Sequence, residues 1–172
     1  MQTRRGVLGI VVLAPLAAAG CGWTPLYADR ETGPADAELR AIHVEPIADR
    51  VGQRLELGLR RDFNPDGLPS PTRYALRTVL AISRQDLGIQ SQGLGTLGRV
   101  DVVATYVLTD AKTGQPLLNS TSHSADSFDI VGNGYATVVA QDAARERAVE
   151  EIRRDMVTKL TLFFQRRVAG TV

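Results

Sequence analysis

Apolar residues recur along the chain at two different spacings, and each spacing predicts one kind of secondary structure. A spacing of four residues, which is typical of one helix face, joins Val51, Leu55, Leu59 and Phe63. Asp49 is placed to cap the start of this helix, and the segment 64–67, which contains Pro65, is placed to end it. A second, longer helix is predicted over residues 136–168 from a stripe of apolar residues: Ala144, Ala148, Ile152, Met156, Leu160 and Phe163.

Four other segments have β character. Residues 39–47 form a short β-rich run, and residues 102–109 alternate with a period of two. A serine- and threonine-rich segment begins at Leu117, after the turn residues 110–114. The remaining segment, 76–83, also alternates, and its predicted inward face carries Leu76, Thr78, Leu80 and Ile82.

The elements therefore follow one another in the order β-α-β-β-β-α. Two amphipathic helices can cover one face of a four-stranded sheet. The strands are joined by turns, as in an antiparallel meander with one apolar face. The sequence predicts an α+β fold: a two-layer sandwich in which two helices pack on one face of a mostly antiparallel, mixed sheet.

The first 20 residues have the composition of a secretory signal. The basic pair Arg4 and Arg5 precedes an apolar run over residues 6–19, which is too short to span a bilayer. We therefore expect three parts: a lipoprotein signal peptide at 1–20, a lipidated tether at 21–37 and an α+β domain at 38–172. Both a general secretory route and a twin-arginine route remain open.

Cys21, the only cysteine of the chain, directly follows the apolar run. The tetrapeptide AAGC at 18–21 resembles a bacterial lipobox, although Ala18 stands where leucine is usual. This resemblance implies a diacylglycerol and an N-acyl chain on Cys21. The alternative is an unmodified thiol. Gly22 follows in place of the aspartate of an inner-membrane retention signal, so the anchor is expected in the outer membrane, on its periplasmic face.

The charge of the mature chain gives no overall attraction for nucleic acid. The whole chain has 20 basic and 19 acidic residues, and loss of Arg4 and Arg5 leaves 18 basic ones. A chain close to neutrality has no broad positive field. A phosphate-bearing ligand would therefore need a local cluster, for which Arg84, Arg99 and Lys112 at strand ends and turns are the candidates. The alternative is that they are ordinary surface residues.

The usual signatures of enzymes lead to no site. Residues 93–98 match the letters of a dinucleotide-binding motif, but they precede a predicted strand instead of opening a helix. His43 and His123 lie in different predicted strands without partners at metal-ligand spacing. We therefore predict no catalytic residue, no metal site and no cofactor, and a protein that is not an enzyme.

Several motifs together resemble one known family. The segment CGWTPLYA at 21–28 resembles the start of mature lipopolysaccharide-assembly lipoproteins of the LptE family, in particular its alphaproteobacterial branch, with Trp23 where phenylalanine is commoner. Four further motifs agree in order: Asp49-Arg50 with Gln53, Pro71 with Arg73-Tyr74 and Leu76, Tyr106-Val107-Leu108 before Asp110 and Thr113-Gly114, and Tyr135-Ala136 before Asp142-Ala143.

The resemblance implies the same fold of four strands with two helices on one face. It also implies a function, which is to plug the lumen of the outer-membrane barrel LptD, to support its assembly and to help lipopolysaccharide (LPS) reach the outer leaflet. The barrel, LPS and, through the lipid anchor, the outer membrane are then the partners. The resemblance does not align the LPS-binding basic residues, so Arg84, Arg99 and Lys112 stay candidates. The alternative is a free periplasmic lipid-binding or transport-auxiliary lipoprotein.

Overall fold

The computed structural model describes residues 33–69, 71–87 and 96–170. Seven elements follow one another in this part of the chain: α1 (Pro34–Arg40), β1 (Ile42–Val44), α2 (Asp49–Phe63), β2 (Tyr74–Asp86), β3 (Leu97–Asp110), β4 (Pro116–Asp129) and α3 (Gly134–Val168).

The four strands form one mixed sheet in the order β1-β2-β3-β4. β1 pairs with β2 in parallel, and the connection between them contains α2, as a parallel crossover requires. β2, β3 and β4 pair antiparallel along their length. The predicted α+β class, with helices on one face of a mostly antiparallel mixed sheet, is confirmed.

The first helix, α1, was not predicted. Its seven residues include 34–37, which the sequence analysis placed in the tether, and Leu39, which it placed in the first strand. Pro34 stands in the first turn, and Arg40 pairs with Asp36 at 2.7 Å, one turn earlier, so local chemistry favours a helix here. The predicted strand over 39–47 therefore shrinks to Ile42–Val44.

The predicted stripe of α2 is confirmed, since Leu55, Leu59 and Phe63 are buried, but its predicted cap is wrong. Ala48 is the capping residue, and Asp49 begins the helix with a φ of 67°. A side chain further along the helix holds the entry instead: the N–H of Ile47 donates to Oε2 of the buried Glu56 at 3.0 Å. Gly52 allows this approach, because a Cβ there would lie 2.6 Å from Ile47 Cγ2.

α3 supplies much of the core. Its predicted residues Ala144 to Leu160 are buried, but the stripe continues to Phe164 and not to Phe163, which is only half-buried. The Phe164 ring lies 5.1 Å from the Tyr74 ring, which fixes the end of α3 against the start of β2. The last step of the stripe was therefore predicted one residue too early.

The helices do not cover the whole inward face of the sheet. α3 packs on β3 and β4, whereas α2 packs on β1 and beside α3. In β2, Leu76 and Thr78 are buried, but Leu80 is half-buried and Ile82 is 39% exposed. The sequence predicted the correct face for all four residues and overestimated the burial of the last two.

Candidate binding surfaces

Arg84 and Arg99 lie close together along the sheet but point to opposite faces. Both are at the hairpin end, defined as the end of the sheet where β2 finishes and β3 begins. Arg84 pairs with Val100 and Arg99 with Gln85, so the two arginines are one residue apart in register. Because successive side chains of a strand alternate, Arg84 faces the helices and Arg99 faces the open side.

Arg84 joins the hairpin end to α3. Its Nη1 donates to Gln141 Oε1 at 2.8 Å, and its Nε donates to Asp86 Oδ1 at 3.0 Å. The guanidinium carbon lies 5.2 Å from the centre of the Phe128 ring. This arrangement combines ion pairing with a cation–π contact, and it leaves the side chain 40% exposed.

Arg99 belongs to a small polar cluster on the open face. Its Nη2 donates to Asp101 Oδ1 at 2.7 Å, and His123 Nε2 lies 3.3 Å from the same oxygen. Asp101 is 15% exposed at its side chain, and its Oδ2 is buried without a hydrogen-bond partner among the described residues. Arg99 therefore has one carboxylate partner and retains 40% exposure toward a ligand.

Lys112 is far from both arginines. It lies in the turn between β3 and β4, at what we call the turn end of the sheet. At 3.3–3.4 Å per residue, the length of β3 separates it from Arg99 by roughly 40 Å. The structure therefore does not bring the three candidate LPS contacts into one site, and any contact of Lys112 with LPS is separate from that of the arginines.

The turn that carries Lys112 is built on Asp110. The N–H groups of Thr113 and Lys112 each donate to Asp110 Oδ1 at 2.9 Å. These two bonds hold the pKa of Asp110 below its ordinary value, and the bond from Thr113 has the larger effect. Gly114 completes the turn with a φ of 69°, a conformation that glycine adopts without strain.

A groove between α2 and α3 is a surface that the sequence analysis did not find. It has a volume of about 810 Å³, and Val51, Leu55 and Val149 contribute its apolar lining. Val51 and Leu55 belong to the predicted stripe of α2, and the charged residues that also line the groove lie beside it. The groove forms where this border of α2 meets α3, so only the relative placement of the helices reveals it.

Charges along this groove are largely paired. Arg54 pairs with Glu146 and Arg153 with Asp62 across the groove, and Arg153 also pairs with Glu150 on its own helix. The hydrogen bond from Arg153 holds the pKa of Glu150 below its ordinary range, and burial of Glu150 only partly offsets it. The pKa of Arg153 is raised by the same bond. Because these positive and negative charges compensate one another, the groove attracts a singly charged ligand only weakly.

The face of the sheet opposite the helices has no covering element in the described part of the chain. It carries a mixture of side chains from β2, β3 and β4: Val79, Ala81, Val103, Thr105, Asn119, Thr121, His123 and Ala125. We call this surface the open face. Its small apolar and hydroxyl side chains suit contact with a surface of mixed polarity.

Two predicted features can be placed only in part. Cys21 and residues 21–32 lie outside the described residues, as do 93–95 of the glycine-rich segment. The last two residues of that segment, Leu97 and Gly98, already belong to β3, so it leads into a strand and not a helix, as predicted. We find no potential metal site within residues 33–69, 71–87 and 96–170, where a site is a group of at least three histidine, cysteine, aspartate or glutamate side chains close enough to hold an ion. None of the helices described is long and apolar enough to cross a bilayer.

The fold is that of a small α+β domain with a four-stranded mixed sheet. The chain belongs to the lipopolysaccharide-assembly family LptE, whose family model matches residues 39–162. This confirms the family that the sequence motifs indicated, and it gives the chain a role in lipopolysaccharide assembly.

A solved structure shows the same fold, and two others are similar at lower scores. A putative lipoprotein from Caulobacter crescentus CB15 is 21% identical, with 76% of this chain and 96% of that chain covered and a TM-score of 0.60. The rare lipoprotein B from Shewanella oneidensis is 11% identical, covering 69% and 94%, with a TM-score of 0.47. A minor lipoprotein from Acinetobacter baumannii is 14% identical, covering 70% and 88%, with a TM-score of 0.48. No curated protein matches the sequence.

Proposed function

We propose that this chain is an outer-membrane lipoprotein that binds and plugs an LptD-like barrel, supports assembly of that barrel and helps deliver LPS to the outer leaflet. The observation that carries the proposal is the open face of the sheet. It offers three strands of small and polar side chains, including Thr105, Asn119 and Thr121, and none of the helices described lies over them. The lumen of a membrane barrel is polar, so a plug needs a surface of this kind.

The charge distribution supports the same role. Most basic side chains of the described part pair with a carboxylate: Arg40, Arg54, Arg60, Arg73, Arg77, Arg84, Arg99, Arg145, Arg147, Arg153, Arg154 and Lys159. A surface whose local charges are balanced is not strongly repelled by either the positive or the negative groups that line a water-filled lumen.

The open face can be tested directly in the complex. Thr105 is exposed at the centre of this face, and Thr105→Arg should reduce the barrel that co-purifies from outer membranes in mild detergent. Val138→Arg is the matched control, because Val138 is 55% exposed on α3, in the helix layer on the other side of the sheet. Equal recovery with both variants would mean that the open face does not contact the barrel.

Depletion of the protein should impair LPS export if the proposed function is correct. If no barrel protein accompanies the wild-type chain, the proposal is wrong and a free periplasmic lipid-binding or transport-auxiliary lipoprotein takes its place.

We propose the lipid anchor on Cys21 from the sequence alone. Cys21→Ser should abolish the diacylglycerol and N-acyl mass on the N-terminal peptide and release the protein from the membrane fraction. Mass spectrometry of the wild-type peptide provides the decisive comparison. An unmodified Cys21 in that peptide would rule out the anchor.

Arg84, Arg99 and Lys112 remain proposed LPS contacts, because an arginine or lysine bond to phosphate is charge-assisted. Alanine at all three should weaken binding of LPS by the protein while the barrel still co-purifies. The distance between the two ends allows a finer test, in which Lys112→Ala is compared with the Arg84→Ala, Arg99→Ala pair. Unchanged LPS binding in the triple variant would make all three ordinary surface residues.

A further inference from the structure

One edge of β2 has a strand beside it for only a short distance. β1 pairs with Tyr74, Ala75 and Leu76 and then leaves the sheet, with the N–H of Glu45 donating to Leu76 O at 3.0 Å. β2 itself continues to Asp86, paired with β3 on its other side. Among the described residues no strand lies beside this second half of β2, which we call the free edge (78–86).

The register shows which backbone groups point outward from the free edge. Leu76 O accepts from β1, whereas the N–H of Leu87 donates to Leu97 O at the start of β3. Because the direction of the backbone N–H and C=O groups alternates along a strand, these groups point away from β3 at the even-numbered residues of β2. The N–H and C=O groups of Thr78, Leu80, Ile82 and Arg84 therefore point outward at this edge.

Apolar side chains flank the free edge on both faces of the sheet. Val79 is 64% exposed on the open face, and Ile82 is 39% exposed on the helix face. Ala81 is exposed and Leu80 half-buried. A long edge strand with exposed apolar side chains is a site of pairing with another chain, and proteins normally blunt or cover such an edge.

The other edge of the sheet has a different character. β4 also has no strand on its outer side in the described ranges, but its exposed side chains are mostly polar: Asn119, Thr121, His123, Ser127 and Asp129. Pro116 begins this strand, and Lys159 of α3 reaches over to donate to Thr121 O at 2.8 Å. β4 thus has features that protect an edge, whereas residues 79–82 of β2 are apolar and polar side chains follow only from Ser83 onward.

We propose that the free edge takes up an extended segment of the barrel polypeptide by strand addition, so that the sheet continues into its partner. This inference rests on the proposed function. An extended backbone is the occupant that matches alternating N–H and C=O groups at the spacing of a strand. A lipid phosphate could accept from the N–H groups, but it offers no donor for the carbonyl groups. Val79 and Ala81 belong to both the free edge and the open face, so the two surfaces are continuous.

Proline substitutions test the two edges of the sheet separately. Ile82→Pro removes an N–H that points away from β3, so the β2–β3 pairing keeps its bonds, as edge prolines allow. The control is Asp129→Pro at the end of β4, outside the residues that define the open face. The N–H of Ile130 donates to Thr96 O, so the backbone groups of even-numbered residues of β4 point to β3 and those of Asp129 point outward. Both variants are made in the full lipoprotein, expressed together with the barrel.

We expect Ile82→Pro to lower the affinity for the barrel about tenfold, because one backbone bond and the apolar contact of one side chain are lost together. Asp129→Pro should bind as the wild type does. Equal recovery with the two variants would overturn strand addition, whereas absence of the barrel from the wild-type preparation would overturn the proposed function and this inference with it.

Hydrogen exchange on the wild-type lipoprotein gives a second readout that does not depend on a variant folding. In the protein alone, the amides of Leu80, Ile82 and Arg84 should exchange fast, and those of Val79 and Ala81 slowly, because the latter bond to β3. In the barrel complex, both sets should exchange slowly. Fast exchange of the even-numbered amides in the complex would overturn the inference. Slow exchange of the even-numbered amides in the protein alone, at concentrations where it self-associates, would also overturn it, because a second copy would then occupy the edge.

Discussion

Two neighbouring strands of the sheet present the same alternating pattern to the helices, yet only one of them is buried throughout. The helix-facing residues of β3 are fully buried from one end to the other: Val100, Val102, Ala104, Tyr106 and Leu108. The helix-facing residues of β2 are buried at the start, but Ile82 and Arg84 are 39% and 40% exposed. Burial is lost along β2 while its pairing with β3 continues unbroken.

The difference comes from what lies above each strand. α3 spans the sheet from Gln141, which contacts Arg84, to Phe164, which contacts Tyr74, and it packs on β3 and β4. β2 lies toward the other side, where β1 ends at Val44. An alternating pattern thus identifies a strand and its inward face, whereas burial depends on the length and position of its neighbours.

The cover that α3 provides should dominate stability. Leu160 is fully buried on α3, and Leu160→Ala removes most of a core side chain, at a cost of about 2–5 kcal/mol in the free energy of unfolding. Leu57→Ala makes the same chemical change on α2, where the side chain is 61% exposed, and should cost less than about 0.5 kcal/mol. Urea unfolding of residues 22–172, without the segment proposed to carry the signal and the lipid, measures both. Similar losses in the two variants would contradict the packing of α3.

The contrast between β3 and β2 can be measured at a single rung of the sheet. Val102 and Ile82 are directly opposite each other, but Val102 is fully buried and Ile82 is not. Val102→Ala should cost about 2 kcal/mol, because burial of two methyl groups is lost and a cavity is left. Ile82→Ala should cost under about 1 kcal/mol in the protein alone.

The same pair tests whether the free edge is covered in the complex. Once the barrel is bound, Ile82→Ala should weaken the complex, whereas Val102→Ala should change binding little beyond its effect on folding. A large loss of stability for Ile82→Ala in the isolated protein would mean that the second half of β2 is already covered without a partner.

The fold was largely predictable because its signals are local. The four-residue stripe of α2 and the alternation of β2 and β3 each reflect one face of one element, and the fold class follows from their order. α1 was missed because seven residues contain too few turns to show a period. The capping role predicted for Asp49 was wrong because Glu56, two turns later, holds the entry to the helix.

The candidate site was less predictable, because it depends on which distant residues meet. Lys112 and Arg99 were grouped by charge and by position near strand ends, but these are opposite ends of β3. The groove between α2 and α3, and the free edge of β2, arise from where elements end relative to one another. Such surfaces have no period or motif in the sequence.

The smallest predicted effect lies at the turn end, where a charge supports a loop instead of a core. Asp110 accepts from the N–H groups of Thr113 and Lys112, and these bonds hold its pKa below the ordinary value. A carboxyl group with a lowered pKa in the folded state stabilises the fold above its unfolded pKa of about 3.9, and that contribution is lost as the pH falls through the folded value. Asp110→Asn keeps an acceptor oxygen but removes the charge.

We therefore expect the variant to be slightly less stable than the wild type at neutral pH and to lose less stability as the pH falls below 4. The two proteins should converge in acid, when Asp110 of the wild type is protonated. Urea unfolding at a series of pH values measures this, with Asp129→Asn, at the exposed end of β4, as the control. A difference that persists unchanged in acid would show that the amide disturbs the turn by its shape and not by its missing charge.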